Sequence, residues 1–326
     1  MLTNYSATAI AHPNIALIKY WGNQDEVLHI PSADSISMNL GSLITKTQVI
    51  LDPDLNQDIL ILNNQLADHR VTHRVQQFLD YFRNHSEIKT YCRIISENNF
   101  PTAAGIASSA SAFAALTLAA AKVFQLNLEP IELSRVARLG SGSACRSIPA
   151  GFVYWHAGND HSSSYADSFA PPDYWDLIDC IAVIGDEPKI ISSLEGHRLA
   201  QTSPLQKTRV ETAHSRIEAC RSAIIQRDFT RLTDVVELDT TLMHAVMMTS
   251  RPPLFYWQPP TIAVIQAVLK WRSQGLSLFY TIDAGASVHV ICMKKDAGEV
   301  QERLKLIPGV KTVILSGVGD AAYLVN

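Results

Sequence analysis

The chain has 326 residues, of which 47% are hydrophobic and 18% charged, with a net charge of −4. That length is more than one core usually serves, so two α/β lobes are expected, and the apolar content excludes a mainly disordered chain. Without a broad basic field, neither nucleic acid nor a membrane surface is an expected partner, and any anionic ligand must be held locally.

In chain order, the N-terminus MLTNYSATAI lacks the basic start and apolar core of a signal peptide, which fits a cytoplasmic protein. Residues 14–22, NIALIKYWG, then set Lys19 in an otherwise apolar run, and a buried lysine needs a partner or a ligand. Alternation predicts strands at 45–51 and 91–95, with a helix over 71–83 between them. Residues 98–111, NNFPTAAGIASSAS, lead from a strand into an Ala-rich helix that is too short to span a bilayer. Small residues, hydroxyls and free N–H groups at a helix start suit a polyphosphate, although a loop of this kind, taken alone, is also explained by capping and close packing. It matches neither the Walker nor the Rossmann glycine pattern.

Residues 140–147, GSGSACRS, form a turn-rich loop with hydroxyls, backbone donors and the Arg146 guanidinium, which is suited to gripping a carboxylate or phosphate. A continuous apolar run at 178–184 predicts a buried strand, and the turn signal at 185–188 places a lobe boundary between residues 186 and 187. Helical patterning fills 203–248 and 261–273. Strands are expected at 276–283, 288–293, 310–315 and 321–325, with a helix at 297–306. Asp283 ends a strand before a Gly turn, a placement suited to a general base. Five scattered cysteines without CxxC spacing indicate neither a disulfide framework nor a zinc site, and eleven histidines form no HExxH pair. His244, His289 and Cys145 are expected to serve packing or hydrogen bonding.

Together, NIALIKYWG, NNFPTAAGIASS, GSGSACR and TIDAG resemble the mevalonate diphosphate decarboxylase family of the GHMP kinase superfamily. ISS at 191–193 and MHAVMMTSRPPLFYW at 243–257 follow in the family's order. The resemblance implies an α+β, two-lobed GHMP kinase fold. Its N-terminal lobe, residues 1–186, would be ribosomal-protein-S5-like and bind ATP; its C-terminal lobe, residues 187–326, would be a ferredoxin-like α/β sandwich. It further implies Asp283 as base, Lys19 as charge stabiliser and Arg146 as the grip on the substrate carboxylate. Tyr20, Asn23, Ser141, Ser143, Ser192 and Ser193 would contact substrate. Asn98, Ala104, Gly105, Ala107, Ser108, Ser109 and Ser111 would contact ATP, with Mg²⁺ carried by the nucleotide rather than by dedicated protein ligands. A homodimer is expected on the same ground.

Two departures bear on the substrate. The family usually continues KYWGK, where this chain has Asn23, and some bacterial relatives follow the two serines with arginine, where this chain has Leu194. Each missing cation weakens a diphosphate site by about one charge-assisted hydrogen bond. The substrate expected is therefore (R)-5-phosphomevalonate, giving isopentenyl phosphate, with His197 and Arg198 as residues able to restore the charge. The alternatives are 5-diphosphomevalonate, giving isopentenyl diphosphate, and a 3-kinase that stops before decarboxylation. Ala33-Asp34-Ser35 also replaces the usual Asn-Ser-Ser.

Overall fold

The computed structural model describes residues 5–101, 108–185 and 191–325 of the chain. Thr45–Leu51 forms a strand whose buried and accessible side chains alternate. It pairs antiparallel with Ser6–Ala11 on one side and with Cys92–Asn98 on the other. Ile59–Leu62 runs parallel to Cys92–Asn98, and Gln65–Leu66 completes that edge. The helix His69–Asn84 starts at Asp68, whose side chain accepts the Val71 N–H. Its buried face, including Val75, Phe78 and Phe82, shares one core with Val49, Ile94 and the Ala-rich helix Ser108–Val123.

A second sheet runs in the order Asn14–Ile18, Ser35–Asn39, Phe152–His156 and Tyr165–Ala170. The residues of Asn14–Ile18 are all buried. Its far face packs on the helices Ala213–Gln226 and Phe229–Thr249 through Ile217, Ile224, Leu232 and Val236. These two helices and the short Gln206–Glu211 divide the helical stretch expected at 203–248.

The third sheet runs Leu278–Thr281, Val288–Met293, Leu177–Val183, Thr312–Gly317. The strand Leu177–Val183 precedes the boundary expected at 186 and 187, yet its partners are Val288–Met293 and Thr312–Gly317, both downstream. Its Ile181 and Val183 join the central core, while Cys180 and Ala182 face Val264, Val268, Val300 and Leu304 of the helices Pro259–Ser273 and Ala297–Lys305. Covered on both faces, the strand has no polar side, which explains the missing alternation at 178–184. The last strand, Tyr323–Val325, returns to the first sheet beside Ser6–Ala11, so sequence order does not separate the lobes at the C-terminus. Among the described residues no helix is long and apolar enough to cross a membrane.

Candidate active site

Lys19 and Asp283 meet where two strands end. Lys19 follows the buried strand Asn14–Ile18, and Asp283 lies just past Leu278–Thr281. The Lys19 Nζ donates to Asp283 Oδ1 at 2.5 Å. The lysine is buried, whereas about a quarter of the Asp283 side chain, 26%, stays accessible. Burial would raise the Asp283 carboxyl, but Lys19, His289 and Arg146 outweigh it and hold the group below the usual carboxylate range. Burial dominates at Lys19 and lowers its ammonium from the ordinary value, with Asp283 and Asp239 opposing. Both shifts are downward, favouring the charge on Asp283 and disfavouring it on Lys19, because the lysine side chain is the more deeply buried of the two. The result is an ionised carboxylate on a partly accessible side chain, beside a desolvated ammonium.

Arg146 enters from the short 3₁₀ helix Gly142–Ser147 and is buried. It donates to Ser35 Oγ at 2.7 Å and to Asn14 Oδ1 at 3.2 Å, and lies 5.7 Å from the Trp155 ring centroid. Among the described residues no carboxylate ion-pairs with it, so neutral groups orient the guanidinium while its charge remains available to an anion. Asn14 also donates to Ser147 Oγ at 2.8 Å and to the Ser143 carbonyl at 3.2 Å, tying the loop to the Lys19 strand. The Cys145 thiol, buried beside Arg146, is pushed up to about 12 by desolvation and is a packing residue.

Tyr20 lies against Trp155 and His197, with ring centroids 4.7 and 4.1 Å away, and burial raises its phenol. Its hydroxyl donates to Asn23 Oδ1 at 2.6 Å, and Asn23 Nδ2 donates to Glu26 Oε2 at 3.2 Å. His197 accepts the Gly22 N–H on Nδ1 at 3.0 Å. Burial, reinforced by His29, Arg209 and Arg146, pulls its imidazole down to about 3, so it is neutral near pH 7. Arg198 approaches Glu26 at 3.7 Å. Neither residue therefore supplies the free cation that the sequence allowed near Asn23.

The serines divide by role. Ser109 and Ser141 place their hydroxyls 3.4 Å apart, which brings the helix start and the Arg146 loop together. Ser111 is buried, with its hydroxyl 2.6 Å from Thr45 Oγ1, and Thr45 donates in turn to Asn98 Oδ1 at 2.6 Å. Ser111 and Asn98 thus brace the strand-to-helix junction, while Ser108 and Ser109 lie at its more accessible end. Ser192 accepts the Glu195 N–H as N-cap of the helix Ser193–Leu199. Ala104, Gly105 and Ala107 lie outside the described residues.

Sequence reasoning missed the groups behind Lys19. Asp239, Arg209 and Arg216 are buried; Asp239 and Arg209 bond the Lys19 main chain, and Arg216 bonds Asp239. A signal was available: Asp239 sits in the helical stretch VVELDTTLMHAV among Val235, Val236 and Met243, on the face that must be buried. Among the described residues no group of three or more His, Cys, Asp or Glu could hold a metal ion.

A two-lobed α+β fold with a Ser-rich helix start and a Lys–Asp pair where two strands end is that of the GHMP kinase class. Residues 11–166 match the family model of the diphosphomevalonate decarboxylase-like N-terminal domain, and residues 180–316 match that of the mevalonate 5-diphosphate decarboxylase C-terminal domain. The diphosphomevalonate decarboxylase of Aspergillus fumigatus is 37% identical, with 95% of this chain and 82% of that protein covered. The phosphomevalonate decarboxylase of Haloferax volcanii is 31% identical over 98% of both chains. Among solved structures, the mevalonate diphosphate decarboxylase of Staphylococcus aureus superposes with a TM-score of 0.95 at 34% identity and 99% coverage of both chains. A chain called MDDEF, in complex with MVAPP, AMPPCP and magnesium, gives 0.94 at 33% identity, covering 99% of this chain and 100% of its own. The chain belongs to the diphosphomevalonate decarboxylase family and is an enzyme, a carboxy-lyase.

Proposed function

We propose that the enzyme uses Mg-ATP to phosphorylate the 3-hydroxyl of (R)-5-phosphomevalonate and then releases phosphate and CO₂, leaving isopentenyl phosphate. The Lys19–Asp283 pair carries this reading. Asp283 takes the hydroxyl proton as that oxygen attacks the γ-phosphorus, while Lys19 orients the carboxylate and stabilises charge on the reacting oxygens. Arg146, which has no carboxylate ion-pair partner among the described residues, holds the C1 carboxylate of the substrate. The C3–O bond then breaks with its electron pair on the departing phosphate. The C1–C2 pair becomes the C2=C3 double bond, freeing CO₂. Tyr20, Asn23, Ser141, Ser143, Ser192 and Ser193 line the substrate side, and Ser108 and Ser109 receive the nucleotide phosphates. The hydroxyls and N-terminal helix dipole there suit an anion. Mg²⁺ enters on the nucleotide and neutralises phosphate charge. That a related chain is known with AMPPCP and magnesium supports ATP and Mg²⁺ as ligands here too.

The monophosphate is favoured by the surroundings of Asn23. Its amide is held between Tyr20 and the Glu26 carboxylate, His197 is neutral and Arg198 faces Glu26. Among the described residues this corner offers a second phosphate no unpaired cation, and it sets a carboxylate beside it. The competing reading, 5-diphosphomevalonate, has in its favour the names of the fungal relatives. CO₂ and ADP release with Mg-ATP, measured side by side on the two substrates, tests the choice. We expect kcat/KM to be at least ten-fold higher for the monophosphate. A higher value for the diphosphate would overturn the assignment, and ADP without CO₂ would make the protein a 3-kinase.

A further inference from the structure

The Lys19 main chain is held by charged side chains rather than by a neighbouring strand. Its N–H donates to Asp239 Oδ2 at 2.6 Å, and its carbonyl accepts from Arg209 at 2.7 Å. The other Asp239 oxygen accepts Arg216 Nε at 2.7 Å, and Arg216 also donates to the Arg209 carbonyl at 2.7 Å. The next residue along the same helix, Thr240, performs the matching task for Asp283. Its hydroxyl donates to the Ile282 carbonyl at 2.9 Å and accepts the Ile282 N–H at 3.0 Å, fixing both peptide groups of the residue before Asp283. One turn further on, His244 Nε2 lies 3.3 Å from that carbonyl. Asp239 and Thr240 are both fully buried. Such a cluster is an expensive way to add stability, since replacing buried ion pairs by apolar groups is often neutral or stabilising. Its geometry instead fixes the two strand ends relative to each other.

We propose that Asp239 and Thr240 are positioning residues that set the Lys19–Asp283 pair from a single turn of the helix Phe229–Thr249. The proposal rests on the catalytic reading of that pair. Asp239 fixes where the Lys19 side chain departs, Thr240 fixes where the Asp283 side chain departs, Arg216 orients the Asp239 carboxylate and Arg209 holds the Lys19 carbonyl in place. Neither residue has to touch substrate. Such a role predicts a loss in turnover without a loss in ligand binding, because a displacement of about 1 Å at a reacting group costs on the order of a hundred-fold in rate.

The decisive comparison is Thr240→Val against Thr240→Ser, in steady-state CO₂ release with both KM values measured. Valine keeps the volume and removes the hydroxyl; serine keeps the hydroxyl. We expect Thr240→Val to lower kcat at least ten-fold with both KM values within about three-fold, and Thr240→Ser to stay within about three-fold of the parent. Asp239→Asn should show the same fall in kcat, and the Thr240 pair decides if that variant does not fold. Parent-like kcat in Thr240→Val, or an equal loss in Thr240→Ser, would overturn the proposal. Asp283→Asn is run alongside: if it is active, the catalytic reading falls; if it is inactive while Thr240→Val is not, only the positioning role falls.

Discussion

Asp283 departs from an ordinary turn carboxylate in being bonded to a buried ammonium on one oxygen while its side chain keeps an accessible fraction of 26%. A general base needs that combination, because one oxygen fixes the orientation and the other meets the proton. Replacing it by Asn keeps the shape and removes the charge. Asp283→Asn should fold normally and bind nucleotide as the parent does, while kcat falls by about 10²- to 10⁴-fold; equilibrium nucleotide titration and CO₂ release measure the two effects separately. Parent-like turnover would remove Asp283 from the mechanism. The substitution also leaves Lys19 buried without its counter-charge, a cost of about 3–5 kcal/mol if nothing relaxes. A lysine free to shed its proton relieves that cost, and its already lowered proton affinity makes this easier.

At the scale of elements, the site depends on close approach between segments far apart in sequence. Gly142 begins the 3₁₀ helix of Arg146, and a Cβ built there would lie 2.6 Å from the Tyr20 hydroxyl. The Tyr20 ring lies against Trp155 and His197, so it has little room to yield. Gly142→Ala should therefore cost about 1–3 kcal/mol in thermal unfolding and raise KM for the phosphorylated substrate several-fold through the Tyr20–Asn23 hydrogen bond, with KM for ATP unchanged. An unaltered substrate KM would show that this contact does not shape the site. The same dependence explains what the sequence revealed. Thr45–Leu51 and the helix starting near residue 69 carry their periodicity or cap locally, and Val288–Met293 is a short, mostly apolar run; all three were legible. Ser6–Ala11 and Ser35–Asn39 were not, because they mix small and polar side chains whose burial is set by other elements, and Phe152–His156 was not singled out although its aromatic and β-branched residues favour a strand. Lys19, Arg146 and Asp283 stood out as candidates because each interrupts an apolar or glycine-rich run. Asp239 and Thr240 were not singled out, although Asp239 shares the apolar face of its helix with Val236 and Met243; what that face packs against is visible only once the helix is docked.

Across the whole molecule, two buried histidines join parts that the chain order keeps apart. His197 accepts the Gly22 N–H across the seam between the helix Ser193–Leu199 and the N-terminal segment, and His244 faces the Ile282 carbonyl. Burial is the main cause that pulls them down to about 3 and about 4, respectively. In the unfolded chain both titrate near their ordinary value of about 6.5. Since the folded values lie lower, the unfolded state takes up these protons first as pH falls. Their contribution to stability is complete above about 6.5 and is lost progressively towards 4 for His244 and 3 for His197. Each histidine adds a slope of up to about 1.4 kcal/mol per pH unit within that window. Urea unfolding between pH 7 and pH 5, above the range where carboxylates titrate, should show stability falling as the solution is acidified. His197→Asn, whose amide oxygen replaces Nδ1 as acceptor for Gly22, should flatten the slope by close to one proton without reversing it, because His244 remains. An unchanged slope in that variant would mean that His197 takes up its proton in the folded protein, with the seam around Gly22 and Tyr20 opening to admit water. In that case the corner beside Asn23 would gain a cation in acid, and discrimination against a second phosphate would weaken below pH 6 in the same two-substrate assay.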